Sequence, residues 1–236
     1  MVNLVIDFGN TRTKAAIFKD DTLLEKIDDL AVHDIPALID QHKPHHTIVS
    51  SVSKTKDELE ATIGTNAMYL SHQSNLPFKI AYNSPTTLGL DRIAAVAGAQ
   101  HIFPNTNCLV IDSGTCVTYD VIDKDGVYHG GGISPGINMR FKALNTFTAN
   151  LPLVEGAENI SLVGKTTVES IQSGVIHGII GEIEQFIRMY KDKFADLQII
   201  ICGGDAKYFE NRLKADIFAS PELVLTGLNR ILLYNV

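Results

Sequence analysis

The sequence predicts an α/β fold built from two similar halves, and three observations predict it. Strand-like and helix-like segments alternate along most of the chain, an apolar strand leading into an Asp-x-Gly turn occurs twice, and no low-complexity linker separates the two copies. The first copy opens the chain as LVIDFGNTRTKAAIF, a hairpin signature in which a Gly/Asn-rich turn joins two β-prone runs. The second begins at Cys108-Leu109-Val110-Ile111-Asp112-Ser113-Gly114-Thr115 and returns through Val117 to Ile122, a degenerate repeat of that hairpin. The expected division is 1–105 and 106–236, with a cleft between packed lobes rather than beads on a string.

The remaining elements follow from periodicity and punctuation. A third strand is expected at Leu23–Ile27, a helix at Ile35–Gln41, a buried strand at Thr47–Val52 and a charged helix over Lys54–Ile63. An Ala-rich helix from Asp91 to Phe103, stopped by Pro104, ends the first half. The second half continues through the cluster Gly130-Gly131-Gly132, a helix near Ile137–Phe147 and a long amphipathic helix over Val168–Phe194. A strand at Leu197–Cys202, a Gly203-Gly204 turn, a helix over Ala206–Leu213 and a closing helix started by Pro221 complete it.

Composition narrows the function classes. With 236 residues and 45% hydrophobic content the chain can bury a substantial core. Its 27 acidic residues against 20 Lys plus Arg give a formal charge of −7, and no stretch reads as a basic groove, which argues against nucleic acid as a partner. Three cysteines without a CxxC pair suggest neither a disulfide framework nor a zinc knuckle. The absence of a signal-like start and of a long apolar run predicts a cytoplasmic protein with no membrane partner.

Two turns carry the chemistry. In Asp7-x-Gly9-Asn10-Thr11 and Asp112-x-Gly114-Thr115, glycine lets the backbone approach a phosphate, and neighbouring amides and hydroxyls can donate to its oxygens. An Asp at each strand end can hold Mg²⁺, a hard cation that prefers carboxylate and water oxygens. Either turn alone reads equally well as a plain tight hairpin; the pair, with the late Cys202-Gly203-Gly204-Asp205-Ala206, favours a phosphate clamp. Gly164-Lys165-Thr166 imitates the end of a P-loop, but the motif's first glycine would fall at Asn159 and no strand precedes it. In Gly130–Gly136, Pro135 stands where a dinucleotide fingerprint needs its third glycine. His42, His45 and His46 read as a solvated connection, and the pairs Asp20-Asp21 and Asp28-Asp29 as turns. Gly89-Leu90-Asp91-Arg92 differs in kind. An acid and an arginine at a helix start suit a general base beside an anion clamp, although Asp91 would serve equally as an N-terminal helix residue.

Taken in order, Asp7-x-Gly9-Asn10-Thr11, Gly89-Leu90-Asp91-Arg92, Asp112-x-Gly114-Thr115, Gly131-Gly132-x-x-Pro135-Gly136, Thr167-x-x-Ser170-Ile171-x-Ser173-Gly174 and Gly203-Gly204-x-Ala206 resemble the motif set of type III pantothenate kinases. The resemblance implies a mixed-sheet fold of two ribonuclease H-like, actin-like halves with the nucleotide between them. It implies that Asp7 to Lys14 (with Gly9, Asn10 and Thr11), Gly114, Thr115, Gly203 and Gly204 bind ATP. Tyr82, Gly89, Leu90, Asp91, Arg92 and Thr167 would line the pantothenate pocket, Arg92 facing the substrate carboxylate. Asp91 would be the proton acceptor, Asp112 the ligand of a monovalent cation, K⁺ or NH₄⁺, and the protein a homodimer. The chain departs from the family pattern in being somewhat short and in carrying Cys202 where Thr is common before Gly-Gly.

The expected reaction is ATP-dependent phosphorylation of pantothenate to 4′-phosphopantothenate, with Mg²⁺ and Lys14 helping to neutralise the transferring group. Two alternatives accompany it. One is another kinase of the superfamily, acting on a sugar or acetate; the other is a non-catalytic accessory of transcription.

Overall fold

The computed structural model describes all 236 residues. In chain order its elements are β1 (Val2–Phe8), β2 (Thr13–Lys19), β3 (Thr22–Ile27), α1 (Ile35–His42), β4 (His46–Ser51), α2 (Lys56–Ile63), β5 (Met68–Tyr69), β6 (Lys79–Ile80) and α3 (Leu90–Ile102). There follow β7 (Cys108–Ser113), β8 (Cys116–Ile122), β9 (Val127–Pro135), α4 (Ile137–Thr146), α5 (Thr167–Lys193), β10 (Gln198–Cys202), α6 (Ala206–Glu210), β11 (Phe218–Ala219) and α7 (Leu223–Asn235). No helix is long and apolar enough to cross a membrane.

The chain forms two compact units, one made of residues 1–108, 120–130 and 222–236 and the other of 109–119 and 131–221. The first contains a five-stranded sheet in the order β3-β2-β1-β4-β5. Its central strand, VNLVIDF, is buried along most of its length because both neighbours and helices cover it. Leu4, Ile6 and Phe8 of β1 pack with Ala15, Ile17 and Val49 beneath Ile35 and Leu38 of α1 and Leu59 of α2. A capping box starts α2: Glu58 N–H donates to the Thr55 hydroxyl while the Glu58 carboxylate accepts the Thr55 N–H.

The closing helix, read from sequence as the end of the second half, groups with the first unit. Glycines make that packing feasible. A Cβ at Gly227 would lie 1.7 Å from Ala94 O, and one at Gly98 would lie 2.4 Å from Leu223 O, so α7 and α3 cross backbone to backbone. Asn229 then anchors α7 inside the unit, donating to Asp20 O (2.8 Å) and accepting from the Asn3 amide (3.0 Å).

The second sheet has the order β11-β10-β7-β8-β9-β6. Residues 120–130, the turn end of the β8–β9 hairpin, group with the first unit, as does β6, whose Ile80 registers with Tyr128. In the second unit α5 begins with its own capping box between Thr166 and Glu169. Gly164 is required there because a Cβ would meet Ser170 N at 2.3 Å, so the false P-loop Gly164-Lys165-Thr166 is a helix entry. The two-residue strands β5, β6 and β11 are too short to show a period, and α6 stops at Glu210 instead of Leu213. Asp20 and Asp29 adopt positive φ of 54° and 57°, the turn role read for those acid pairs. In the histidine cluster, His45 Nδ1 accepts the Val2 N–H.

Candidate active site

Sheet register builds the first part of the site. Asp7 of β1 lies opposite Lys14 of β2 and beside Ser50 of the parallel strand β4. Its Oδ1 is shut off from solvent without a hydrogen-bond partner. Burial, and then the negative charge of Asp91, push the Asp7 carboxyl up to about 6 against the pull of Lys14. The turn that follows is closed by Gly9 N–H on Arg12 O (3.1 Å), leaving Asn10 and Thr11 exposed.

The second part is the start of α3. Arg92 N–H donates to Asp91 Oδ1 at 2.8 Å, so the helix-terminus role of Asp91 is present in the structure. It does not exhaust a carboxylate, which offers about four acceptor positions. Burial raises the Asp91 carboxyl above its ordinary range, more than the Arg92 N–H lowers it. Gly89 leaves the room this needs, since a Cβ there would stand 2.4 Å from Asp91 Oδ1.

Arg92 is 7% exposed, and its guanidinium grips Asp120 of β8 in a fork. Nε lies 3.0 and 3.1 Å from the two carboxylate oxygens and Nη2 lies 2.5 Å from Oδ1. The Tyr128 O–H also donates to Asp120 Oδ1, at 2.6 Å. The ring of Tyr82 lies 6.0 Å from Arg92 Cζ, and Gly130, at φ +87°, leaves space for it, because a Cβ there would be 2.6 Å from Tyr82 Cδ2. Reading the sequence missed Asp120, Tyr128 and Ser50. Asp120 had a signal: it is a lone charge in the apolar run Val117–Ile122, and a buried carboxylate demands a partner.

The remaining predicted residues fall in the second unit. The turn after β7 is closed by Gly114 N–H on Cys116 O (2.9 Å), and Gly136 N–H reaches Thr115 O (3.1 Å). A Cβ on Gly136 would lie 2.2 Å from Gly114 O, so the Gly131–Gly136 segment can back this turn only with glycine at that position. Gly203, at φ +91°, presses on Asp112: an added Cβ would meet both Asp112 Oδ1 and Ser113 O at 2.3 Å. Gly204 is exposed, Asp205 N–H donates to Ser113 O, and Thr167 is the exposed first residue of α5. Thus Asp7, Lys14, Tyr82 and Gly89–Arg92 belong to one unit, and Asp112, Gly114, Thr115, Thr167, Gly203 and Gly204 to the other.

Residues 3–189 match the family model described as type III pantothenate kinase. The chain belongs to that family. A type III pantothenate kinase of Cytophaga hutchinsonii is 44% identical over 235 residues, covering 100% of both chains. Among solved structures, a Baf-family protein of Campylobacter jejuni described as a transcriptional activator superposes with a TM-score of 0.65 at 21% identity, over 98% of each chain. A glucokinase from an Antarctic psychrotroph gives 0.57 at 12% identity, over 99% of each. Those likenesses show the fold, an actin-like and sugar-kinase-like α/β architecture, as the sequence predicts. The activity that follows from the family is phosphoryl transfer from ATP to pantothenate, the first step of coenzyme A biosynthesis.

Such a kinase uses a divalent metal with its nucleotide. The first unit fits that requirement. A buried carboxylate oxygen without a partner on Asp7, within the electrostatic reach of a second carboxylate, is a donor set for a hard cation held by one or two carboxylates plus phosphate.

Proposed function

We propose that Asp91 is the general base of the reaction, taking the proton of the primary hydroxyl of pantothenate as that oxygen attacks the γ-phosphorus. Burial supports the role. A carboxyl raised by burial above its ordinary range is a stronger base than a solvated one. Asp7 would hold Mg²⁺ together with the ATP phosphates, and the metal would neutralise charge on the transferring group. Lys14, across the hairpin from Asp7, and the exposed Asn10 and Thr11 on the turn that Gly9 keeps open would bind phosphate oxygens of ATP; in the second unit, Gly114 and Thr115 form the other phosphate-type turn. Gly203 and Gly204 would lie against the adenosine.

In the first unit Tyr82, Gly89, Leu90 and Arg92 would line the acceptor pocket, with donors of Arg92 not used by Asp120 turned to the substrate carboxylate; Thr167, in the second unit, would be a further substrate contact. Asp112 and the Ser113 carbonyl, narrowed by the bare backbone of Gly203, offer the oxygen set a K⁺ or NH₄⁺ ion needs. The exposed Gly174, Gly178 and Gly181 of α5, with nothing within 4 Å of an added Cβ, suit close approach of a second copy, and we place this kinase in the cytoplasm as a homodimer. Its negative charge leaves pantothenate and ATP, rather than nucleic acid, as its partners.

The observation that carries the reading is Asp91, a buried carboxylate bonded by the Arg92 N–H at the start of α3 and within electrostatic reach of the buried Asp7. Its test is Asp91→Asn. Turnover should fall on the order of 10² to 10⁴ while calorimetric binding of pantothenate and ATP is kept; near-normal turnover removes Asp91 from the chemistry. For Asp112→Ala, the stimulation of ADP release by K⁺ over Na⁺ should disappear, and undiminished stimulation contradicts the cation assignment.

A further inference from the structure

Three groups converge on one buried carboxylate with no part in the chemistry described so far. Asp120 is fully buried, yet it accepts Arg92 Nε, Arg92 Nη2 and the Tyr128 O–H, itself on a fully buried ring. The fork uses the Nε side of the guanidinium and so fixes its plane. A guanidinium carries five donors; the fork takes the Nε–H and one Nη2 hydrogen, Tyr82 engages the group as a second hydrogen-bond partner, and donors remain for a further acceptor. Tyr82, on the same guanidinium, is held by a glycine whose φ of +87° no other residue adopts readily.

Stability does not account for this arrangement well. Two charges taken out of water at a helix start lose hydration that their mutual attraction barely returns, and an apolar pair of the same volume often serves the fold as well or better. What an apolar pair cannot do is hold a planar cation in one orientation. A free arginine at this place would rotate about its side-chain torsions and lose that freedom on binding; one already clamped does not.

We propose that Asp120, itself oriented by Tyr128, is a positioning residue that presents the remaining donors of Arg92 and thereby sets the enzyme's preference for an acceptor bearing a carboxylate. The inference rests on the reading of Arg92 as the group that faces the pantothenate carboxylate, and deepens it. Asp120 touches no substrate in this scheme and acts through Arg92. Its charge also reaches Asp91, whose carboxyl is raised by burial first and by Asp120 in addition. A change at Asp120 therefore alters turnover on any acceptor, and kcat alone cannot report its effect on recognition.

The measurement that separates these effects is a ratio: kcat/KM for pantothenate over kcat/KM for its primary amide, an acceptor of the same size whose carboxylate is neutral. Effects on the base or on the fold enter both terms and cancel. The wild type should prefer the acid by at least about tenfold, the scale of a charge-assisted hydrogen-bond pair. Arg92→Gln should bring the ratio near one, Asp120→Asn to within about threefold of one, and Tyr128→Phe part of the way. Should Asp120→Asn fail to fold, Tyr128→Phe, which loses a single oxygen, decides. A ratio that collapses in Arg92→Gln but stays at the wild-type value in the Asp120 and Tyr128 variants overturns the proposal and leaves the role of Arg92 standing. A ratio unmoved by Arg92→Gln removes the carboxylate reading of Arg92 and the proposal with it. An increased preference in Asp120→Asn would mean that Asp120 only screens the arginine, which also overturns positioning.

Discussion

In the first unit, the turn after β1 runs from Gly9 to Arg12 with Asn10, Thr11 and Arg12 exposed, and its strand-end carboxylate, Asp7, keeps an oxygen with no partner. In the second, the turn after β7 closes one residue sooner, from Gly114 to Cys116, and two glycines from distant parts of the chain press on it. Gly136 covers Gly114 O, and Gly203 covers Asp112 Oδ1 and Ser113 O. Similar Asp-x-Gly segments thus produce an open turn beside an uncommitted carboxylate and a braced turn beside a confined one. The repeat copied the hairpin but not its backing, which leaves the first turn room to adapt and holds the second in a fixed geometry.

The largest expected effect tests the bracing. Gly203→Ala puts a Cβ within 2.3 Å of a backbone oxygen at a φ of +91°, where neither contact nor backbone can relax cheaply. It should cost about 3 kcal/mol or more in urea unfolding; a cost below about 1 kcal/mol would show that the second turn is no more confined than the first.

Next in size is Asp7→Asn, with the opposite sign. An acid whose folded pKa lies above its unfolded one binds protons more tightly when folded. Its contribution is therefore most favourable below its ordinary 3.8 and is lost as pH rises through about 6. Removing the charge should stabilise the nucleotide-free protein at pH 7.5 by about 1 to 3 kcal/mol, and the gain should vanish below pH 4. Turnover with Mg²⁺ and ATP should fall in the same variant. Equal stability of the two proteins across that range would mean that Asp7 is not a strained, uncommitted carboxylate.

The smallest effect belongs to the open turn. Gly9→Ala meets only Arg12 O, at 3.1 Å, in an exposed loop, so the free energy of unfolding should change by less than about 1 kcal/mol. A loss as large as that of Gly203→Ala would erase the distinction between the two turns.

Much of this was legible before the structure. The β1–β2 hairpin, the long α5 and the Ala-rich α3 announce themselves through local periodicity and turn chemistry, and the starts of α2 and α5 agree within a residue or two because Thr55 and Thr166 cap through neighbours three residues away. Asp91 and Arg92 stood out as an acid and a cation at a helix start. Asp120 was overlooked because its meaning lies 28 positions away on another element.

Sequence by itself thus determined what depends on near neighbours: the alternating elements, the two Asp-x-Gly turns, the ordered motif set and hence the family. Only the tertiary structure decided that α7 returns to the first unit, that Ser50 lies beside Asp7, and that Arg92 is gripped by Asp120, which Tyr128 holds in turn. The physical reason is range. Capping and strand alternation are satisfied within a few residues, whereas a parallel strand pairing, a glycine-to-backbone helix crossing and a buried ion pair need partners that only the closed chain brings within contact.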